Sequence, residues 1–331
     1  ITDAATGESL TRLKRTAQAA PSSPEMASML SEVMLRTPPP PWLMSQGGCD
    51  NQTHEALEAH GLVVDPAAAP AELAYKCASE ALTALDSVLA CADECESRAR
   101  FGEIRAPRHR HDLLLELTPG LLALLAPVLS DASPIGSALA GALGASASLC
   151  ELSCIISEDG ASAQPVHCDT LADARAHVVG KEGHVVVSGC GPADGGEQLT
   201  SAAAPTACRL MTIFVALQDV ATSMGPTCVW PATHTPGFHA AVAERGPSVL
   251  ARRPHVALDL PAGGALLMDS RLWHCGGPNA SGRRRALLVA TFAAAGCYPE
   301  GSTYSLLAHL AGRLSLADLR SVPPGRLIEL F

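Results

Sequence analysis

Apolar positions follow one period in the first half of the chain and another in the second. Behind Ser23-Pro24, the residues Met26, Met29, Leu30, Val33 and Met34 recur at helical spacing, and the cap-plus-proline pair predicts where that helix starts. The run RTPPPP, residues 36–41, ends it and reads as a linker. A longer helix is predicted from near Pro70 through Leu82, Leu85 and Leu89 to Glu96. Thr118-Pro119 and Ser133-Pro134 carry the same opening signal, and the second of these helices should end around Gly144.

Past Gly144 the period shortens. Residues 150–157, 184–188, 209–218, 255–260, 264–270 and 285–293 are alternating or β-branched runs, separated by Gly, Pro, Asn and Asp clusters. Short segments around His167 and Cys228 bring the expectation to about eight strands. Helices first and strands second predict helices packed against a β-sandwich or barrel. Alternating strand–helix units are absent, as are GxGxxG and the P-loop signature, so a Rossmann or P-loop fold is not expected. No internal repeat is visible.

Composition narrows the partners. The 331 residues are 47% apolar and 17% charged, enough apolar side chain for a sizeable core. No uninterrupted run of apolar residues is long enough for a membrane span. The net charge of −10 and the absence of a long Lys/Arg run argue against nucleic acid as partner. The densest basic stretch, RAPRHRH at residues 105–111, reads as a solvated loop. The twelve cysteines include no CxxC pair. Cys150 and Cys154 share a predicted strand, where their offset spans roughly 13 Å, too far for a disulfide. Most cysteines therefore read as small buried hydrophobes of an intracellular, reducing compartment, where the sequons at Asn51 and Asn279 carry no glycan. The first 23 residues, with Arg12, Lys14 and Arg15 among Ala, Ser and Thr, resemble the tail of a transit peptide, which leaves the cytoplasm or an organelle as the location.

The chemistry concentrates in two segments. In QPVHCDT, residues 164–170, His167 and Asp169 lie two apart and project from the same face of an extended strand. One imidazole beside one carboxylate is two-thirds of a 2-His-1-carboxylate triad, the ligand set that leaves open positions on iron(II). Alone, HxD arises by chance in many chains. The second segment, residues 263–288, has a glycine turn, an apolar strand with His274 near its end, a Gly/Pro/Asn loop and then Arg285. His274 is placed to supply the third ligand. A guanidinium opening the next strand can clamp a carboxylate through two parallel hydrogen bonds. Alternation sends Arg284 to the face opposite Arg285 and turns Cys168 away from the metal side.

These residues resemble the phytanoyl-CoA dioxygenase family of iron/2-oxoglutarate oxygenases. The resemblance rests on His167-Cys168-Asp169, then Gly225-Pro226-Thr227 through Pro231-Ala232-Thr233-His234, then His274, Gly277, Asn279, Ser281, Arg285 and Leu288. It covers about residues 55–300, with the family domain starting near EAHGLVVDPAAAPAEL. It implies a mainly β chain with an α-helical N-terminal layer, a double-stranded β-helix of the cupin-type jelly-roll kind. The expected division is an extension over 1–54, a helical layer over 55–145, a jelly roll over 146–296 and a helical tail over 301–331. The implied reaction is hydroxylation of a small organic or lipid-like molecule, with 2-oxoglutarate and O₂ consumed, succinate and CO₂ released, and ascorbate as reductant. By the resemblance, His167, Asp169 and His274 hold Fe(II), while Arg285, Thr227 and Ser281 contact 2-oxoglutarate.

Two positions depart from the pattern: the turn before His234 reads PATH, and Gly276 stands where relatives often carry a hydroxyl. Trp230 is a further pocket-lining candidate. His234 and His239 read as structural or surface residues, Asp269 as a turn-stabilising acceptor, and Asn279 and Ser281 as shapers of the loop that sets Arg285. A catalytically silent scaffold subunit is the rival from another class, but such a chain normally loses a ligand and none is lost here. A zinc or manganese cupin that ignores 2-oxoglutarate is a third reading, against which Arg285 speaks.

Overall fold

The computed structural model describes residues 51–172, 176–179, 185–187 and 209–321, apart from 247, 252, 296 and 300–304. The helix expected behind Pro24 and the proline-rich linker lie outside the described residues. The chain begins with α1 (Asn51–His60), β1 (Leu62–Asp65), α2 (Ala71–Leu89), α3 (Glu94–Ala99), β2 (Arg110–Leu114), α4 (Pro119–Leu129) and α5 (Pro134–Leu143). Then come β3 (Ser148–Ser157), β4 (Ala176–Val179), β5 (Val185–Val187), β6 (Leu210–Ala216) and β7 (Thr227–Val229). The last elements are α6 (Pro236–Arg245), α7 (Ser248–Ala251), β8 (Val256–Leu258), β9 (Ala265–Asp269), β10 (His274–Gly276), β11 (Arg285–Ala293), β12 (Cys297–Pro299) and α8 (Leu316–Ser321).

Local chemistry explains the helix boundaries. Thr118 Oγ1 accepts from the Leu121 amide, and the Ser133 hydroxyl accepts from the Ile135 and Gly136 amides, so both proline-led helices start where the sequence predicts. The helix expected to reach Glu96 stops at Leu89 instead. Asp93 accepts from the Cys95 and Glu96 amides and caps a new short helix, which breaks the run in two.

Six antiparallel strands form the major sheet in the order β1-β9-β6-β11-β3-β2, and β10-β7-β8 form a minor one. A third small sheet, β12-β4-β5, contains the strand expected at 184–188 as β5 and adds β4 and β12, which spacing alone does not resolve. Alternation divides the major sheet cleanly. Leu152, Cys154, Ile156, Met211, Ile213, Leu288, Ala290 and Phe292 face outward and pack under α2, α4, α5 and α8 in one large cluster. Leu62, Val64, Phe214, Leu266, Met268, Leu287 and Val289 face inward against Val229, Val256 and Leu258 of the minor sheet. Two sheets closing on one interior, with helices on the outer face, make the double-stranded β-helix that the family resemblance implies.

Three regions depart from the sequence reading. The basic stretch 105–111 is not all solvated loop: Arg110 opens β2, pairs with Ser157 and is 1% exposed. β1, unforeseen as a strand, forms the edge of the major sheet against β9. Residues 305–321 join the core rather than trailing from it. Leu152 N donates to Ser305 O and Leu149 N to Leu314 O, while Leu310, Leu314, Leu316 and Leu319 are buried. Eight cysteines among the described residues are free thiols, Cys150 and Cys154 included, whereas Cys297 is disulfide-bonded. No single helix among the described residues is long and apolar enough to cross a membrane.

Candidate functional site

A single bridge positions the first two histidines. His167 and His274 exchange backbone hydrogen bonds at 2.9 and 2.7 Å, which brings the HxD segment beside the end of β10. His167 Nδ1 lies 2.7 Å from the Pro165 carbonyl, and His274 Nδ1 lies 2.9 Å from the Leu272 carbonyl. A carbonyl only accepts, so each Nδ1 carries a ring proton and Nε2 is the ring atom left to face a metal. Those two Nε2 atoms lie 3.6 and 3.7 Å from Oδ1 and Oδ2 of Asp169. All three donor atoms fall within 4.8 Å of one another, a group able to hold a metal ion. Burial, followed by the charges of His274 and Arg105, keeps the His167 ring well below its ordinary pKa, in the neutral form a metal requires. The Asp169 side chain stays 40% exposed, which leaves this corner of the site open.

A second polar group lies on the inner face of the major sheet. Arg285 and Arg110 both pair with Ser157 across neighbouring strands and are 1% exposed. The Ser157 hydroxyl accepts from Arg285 NH2 at 3.0 Å and from Arg110 Nε at 3.1 Å. Arg285 NH1 donates to the Gly225 carbonyl. Gly225 turns at φ 69°, and a Cβ there would strike the Gly277 carbonyl at 2.4 Å, so only glycine brings its carbonyl this close. Arg110 NH2 donates to the Ser162 and Gly277 carbonyls at 2.8 and 3.2 Å. All these acceptors are neutral. Neither arginine has a carboxylate within 4.0 Å among the described residues, and the buried Arg285 Nε has no partner. Burial and the neighbouring Arg110 charge push Arg285 down to about 10, so it stays a cation at neutral pH. Two desolvated guanidiniums without a counter-ion make a cradle for a carboxylate.

The remaining expected residues divide between the interior and the scaffold. Thr227 is buried on β7, opposite Gly276, on the same strand face as the inward Val229. Ser281 gives its hydroxyl to Asn279 Oδ1 at 2.7 Å and to the Arg283 carbonyl at 3.2 Å, so in this structure it shapes the turn before Arg285. Asn279 ties that turn to β3 through the Ser157 carbonyl at 2.9 Å. Arg284 points outward, to Asp86 at 2.6 Å and Glu158 at 3.1 Å. Asp269 accepts from the Arg271 amide and guanidinium. His234 and His239 are buried, their Nε2 atoms within hydrogen-bond reach of the Glu58 and Arg271 carbonyls. Trp230 stacks on His255 at 4.9 Å, in a cluster apart from the inner face.

Sequence reasoning missed Arg110, Ser157 and Gln164. Gln164 Oε1 accepts from the Gly276 amide at 2.8 Å and fills the space a side chain at 276 would need. The departure at Gly276 is thus matched by a glutamine amide standing over the same spot.

The comparisons with known proteins follow this geometry. A family model described as phytanoyl-CoA dioxygenase (PhyH) matches residues 148–287, the stretch from β3 to β11 that carries the triad and Arg285. That stretch is a PhyH-type domain. The non-heme alpha ketoglutarate dependent epimerase SnoN from nogalamycin biosynthesis is 18% identical, with 80% of this chain and 88% of that one covered and a TM-score of 0.52. SnoN in complex with Fe3+, alpha ketoglutarate and nogalamycin RO gives 17%, 80%, 91% and 0.51. The carbocyclase SnoK from the same biosynthesis is 14% identical over 83% of this chain and 95% of that one, at a TM-score of 0.47. The two SnoN structures establish a common fold. The PhyH domain makes this chain an oxidoreductase of the dioxygenase type.

Proposed function

We propose that this PhyH-like chain is an iron(II)- and 2-oxoglutarate-dependent dioxygenase that hydroxylates a small organic or lipid-like substrate, releasing succinate and CO₂. The observation that carries the reading is the pair of buried arginines, uncompensated among the described residues, on the same interior as a three-ligand metal group. The donor set suits the ion: two imidazoles, each turned so that Nε2 faces the others, and one carboxylate form a facial triad that leaves positions open. The cradle suits the cosubstrate, since a dicarboxylate can give one carboxylate to the arginines while its 2-oxo acid end faces the metal. An iron(II) ion held there supplies O₂ activation coupled to decarboxylation of 2-oxoglutarate, with ascorbate as an external reductant.

The residues of the chain do the positioning. His167 and His274 are locked in one tautomer by the Pro165 and Leu272 carbonyls, so neither ring turns away. Arg285, steadied by Ser157 and Gly225, fixes the cosubstrate's distal carboxylate, and Arg110 adds a second positive charge. Asp169 occupies the place a halide would need, so oxygen transfer, desaturation or ring closure is the expected outcome and halogenation is not. The structurally similar SnoN and SnoK are an epimerase and a carbocyclase, so the outcome within this fold varies. The test is iron(II) binding and succinate release by His167→Ala and His274→Ala. Both properties should vanish in each variant, and full turnover by either would overturn the assignment.

A further inference from the structure

The HxD segment joins β10 through an interrupted ladder, and the interruption is built around one side chain. In an antiparallel pair, residues that exchange both backbone bonds recur at every second position. His167 and His274 are such a pair, bonded in both directions at 2.9 and 2.7 Å. The next exchange would fall on Pro165 and Gly276, but proline has no amide hydrogen to give. Gln164 makes both bonds instead. Its amide donates to the Gly276 carbonyl at 2.9 Å, and its side-chain Oε1 accepts from the Gly276 amide at 2.8 Å. Two residues thus oppose one, a bulge in which a carboxamide stands in for a backbone carbonyl.

The replacement frees the Pro165 carbonyl for the metal group. In a regular ladder that oxygen would accept from the Gly276 amide. Here it lies 2.7 Å from His167 Nδ1 and holds the ring with Nε2 toward Asp169 and His274. Without Gln164 the Gly276 amide has the Pro165 carbonyl as its ladder acceptor, and drawing that oxygen back to β10 takes it from the imidazole.

The carboxamide is also neutral, and its place makes that matter. A Cβ built on Gly276 would lie 2.8 Å from Gln164 Oε1 and 3.8 Å from the Arg285 guanidinium, so both groups border one spot on the interior. A glutamate at 164 could accept the same hydrogen bond, but it would bring a negative charge beside Arg285 and occupy the arginines from within. Gln164 Nε2 donates to the Arg105 carbonyl at 3.2 Å, so the carboxamide is held at both ends.

We propose that Gln164 is a positioning residue for both halves of the site: it holds the bulge that aims His167 at the metal, and its neutrality leaves Arg285 open to a cosubstrate carboxylate. The second half rests on the dioxygenase reading; the first rests on the metal group alone.

The test is titration of the metal-free full chain with cobalt(II), read by visible absorption, and then of the cobalt-loaded protein with 2-oxoglutarate, read by calorimetry. Gln164→Leu keeps bulk and removes the acceptor. It should weaken cobalt(II) by about 10- to 100-fold, the usual result of removing the group that holds a metal-ligating imidazole, and alter the absorption bands. Gln164→Glu restores the acceptor, so cobalt(II) affinity and bands should return to those of the unmutated chain, while 2-oxoglutarate should bind about tenfold more weakly or worse. A side chain that only packs would not be rescued by a charged replacement. Unchanged cobalt(II) binding in Gln164→Leu, or equal losses in both variants, would overturn the role toward His167; undiminished 2-oxoglutarate binding in Gln164→Glu would overturn the role toward Arg285. If Gln164→Leu does not fold, Gly276→Ala takes its place: the methyl displaces the carboxamide and should weaken cobalt(II) in the same way. Cobalt(II) binding without 2-oxoglutarate binding in the unmutated chain would remove the dioxygenase reading and leave the cobalt(II) comparison to decide the role toward His167. Binding of both, with equal cobalt(II) affinities whatever stands at 164, would keep that reading and remove this one.

Discussion

The molecule buries two groups of arginines and treats them in opposite ways. Around Asp269, which is 0% exposed, Arg271 binds both carboxylate oxygens at 2.8 and 2.6 Å, and Arg209 reaches Oδ2 at 3.0 Å and Glu58 at 2.7 Å. Two cations meet two anions, and the group is internally neutral. Burial alone would raise the Asp269 carboxyl; the Arg271 and Arg209 interactions outweigh it and hold the group below its ordinary value. Around Ser157, Arg110 and Arg285 meet only hydroxyl and carbonyl oxygens among the described residues and repel each other. Buried charge is retained in a fold when something compensates it. In the first group the compensation comes from the chain itself, so the group serves folding. In the second it has to come from outside, which is what separates a binding site from a structural network.

The largest expected effect breaks the neutral group. Asp269→Asn strands Arg209 and Arg271 inside the fold and should cost about 3–5 kcal/mol of stability, the usual result of removing one partner of a buried pair. Arg285→Ala should cost clearly less in the ligand-free protein, because it removes a charge nothing was balancing. Urea unfolding of both variants checks this. Equal losses would make Arg285 a structural residue and erase the distinction.

Next in size is cosubstrate affinity. Losing Arg285 should weaken 2-oxoglutarate binding by about 2–4 kcal/mol, roughly 30- to 1,000-fold, as expected for truncating a buried charge-assisted contact. Arg110→Ala should weaken it by about tenfold, since that side chain is already tethered to three carbonyls and only adds charge. In the unmutated protein, 2-oxoglutarate at a hundred times its Kd should add about 2.7 kcal/mol of stability. A thermal shift of normal size in Arg285→Ala would contradict the cradle.

How legible this arrangement was depends on which face a polar residue occupies. The HxD spacing, the strand-end His274 and the alternation that turns Arg285 inward and Arg284 outward are all readable from residue order, and the family resemblance draws on the same positions. Ser153, Ser157 and Glu151 alternate with Leu152, Cys154 and Ile156, so β3 looks like an ordinary half-exposed strand with its polar side in water. That side is the interior. In this chain the helices pack on the apolar face of β3 and the arginines lie on the polar one, an inversion that no single strand announces. Arg110 was hidden differently, in a run of basic residues that resembles a loop. α2 was overextended because its apolar spacing gives no sign that Asp93 caps a separate helix.

The same contrast extends to carboxyl groups and gives opposite slopes of stability with pH. Asp269, held below its ordinary 3.8, contributes stability above that pH and loses it as the pH falls through its lower folded value. Among the described residues Glu151 has no cation partner; burial first, then the charges of Asp112 and Asp169, raise it from 4.5 to about 8. Below 4.5 it is protonated in both states. Between 4.5 and about 8 the unfolded chain releases a proton that the native state keeps, so stability of the metal-free protein should fall as pH rises through that window. Glu151→Gln should flatten the profile between about pH 5 and 8 and leave the acid limb unchanged. An unaltered slope in melting temperature would show that Glu151 is already compensated.

The smallest effect belongs to Arg284, and for that reason it is the sharpest control. It is adjacent to the clamp, carries the same guanidinium and differs only in facing outward by strand alternation. Its side chain is 34% exposed, and its partners Asp86 and Glu158 belong to the chain. Water screens such pairs, which are worth about 0–1 kcal/mol, so Arg284→Ala should lower stability by no more than that. Its interactions are complete without any ligand, so 2-oxoglutarate affinity should stay within about twofold, less than 0.5 kcal/mol. If Arg284→Ala instead weakens the cosubstrate and Arg285→Ala does not, the strand binds in a register shifted by one residue. Every inward assignment on β11, Thr291 beside Glu151 included, would then move to the opposite face.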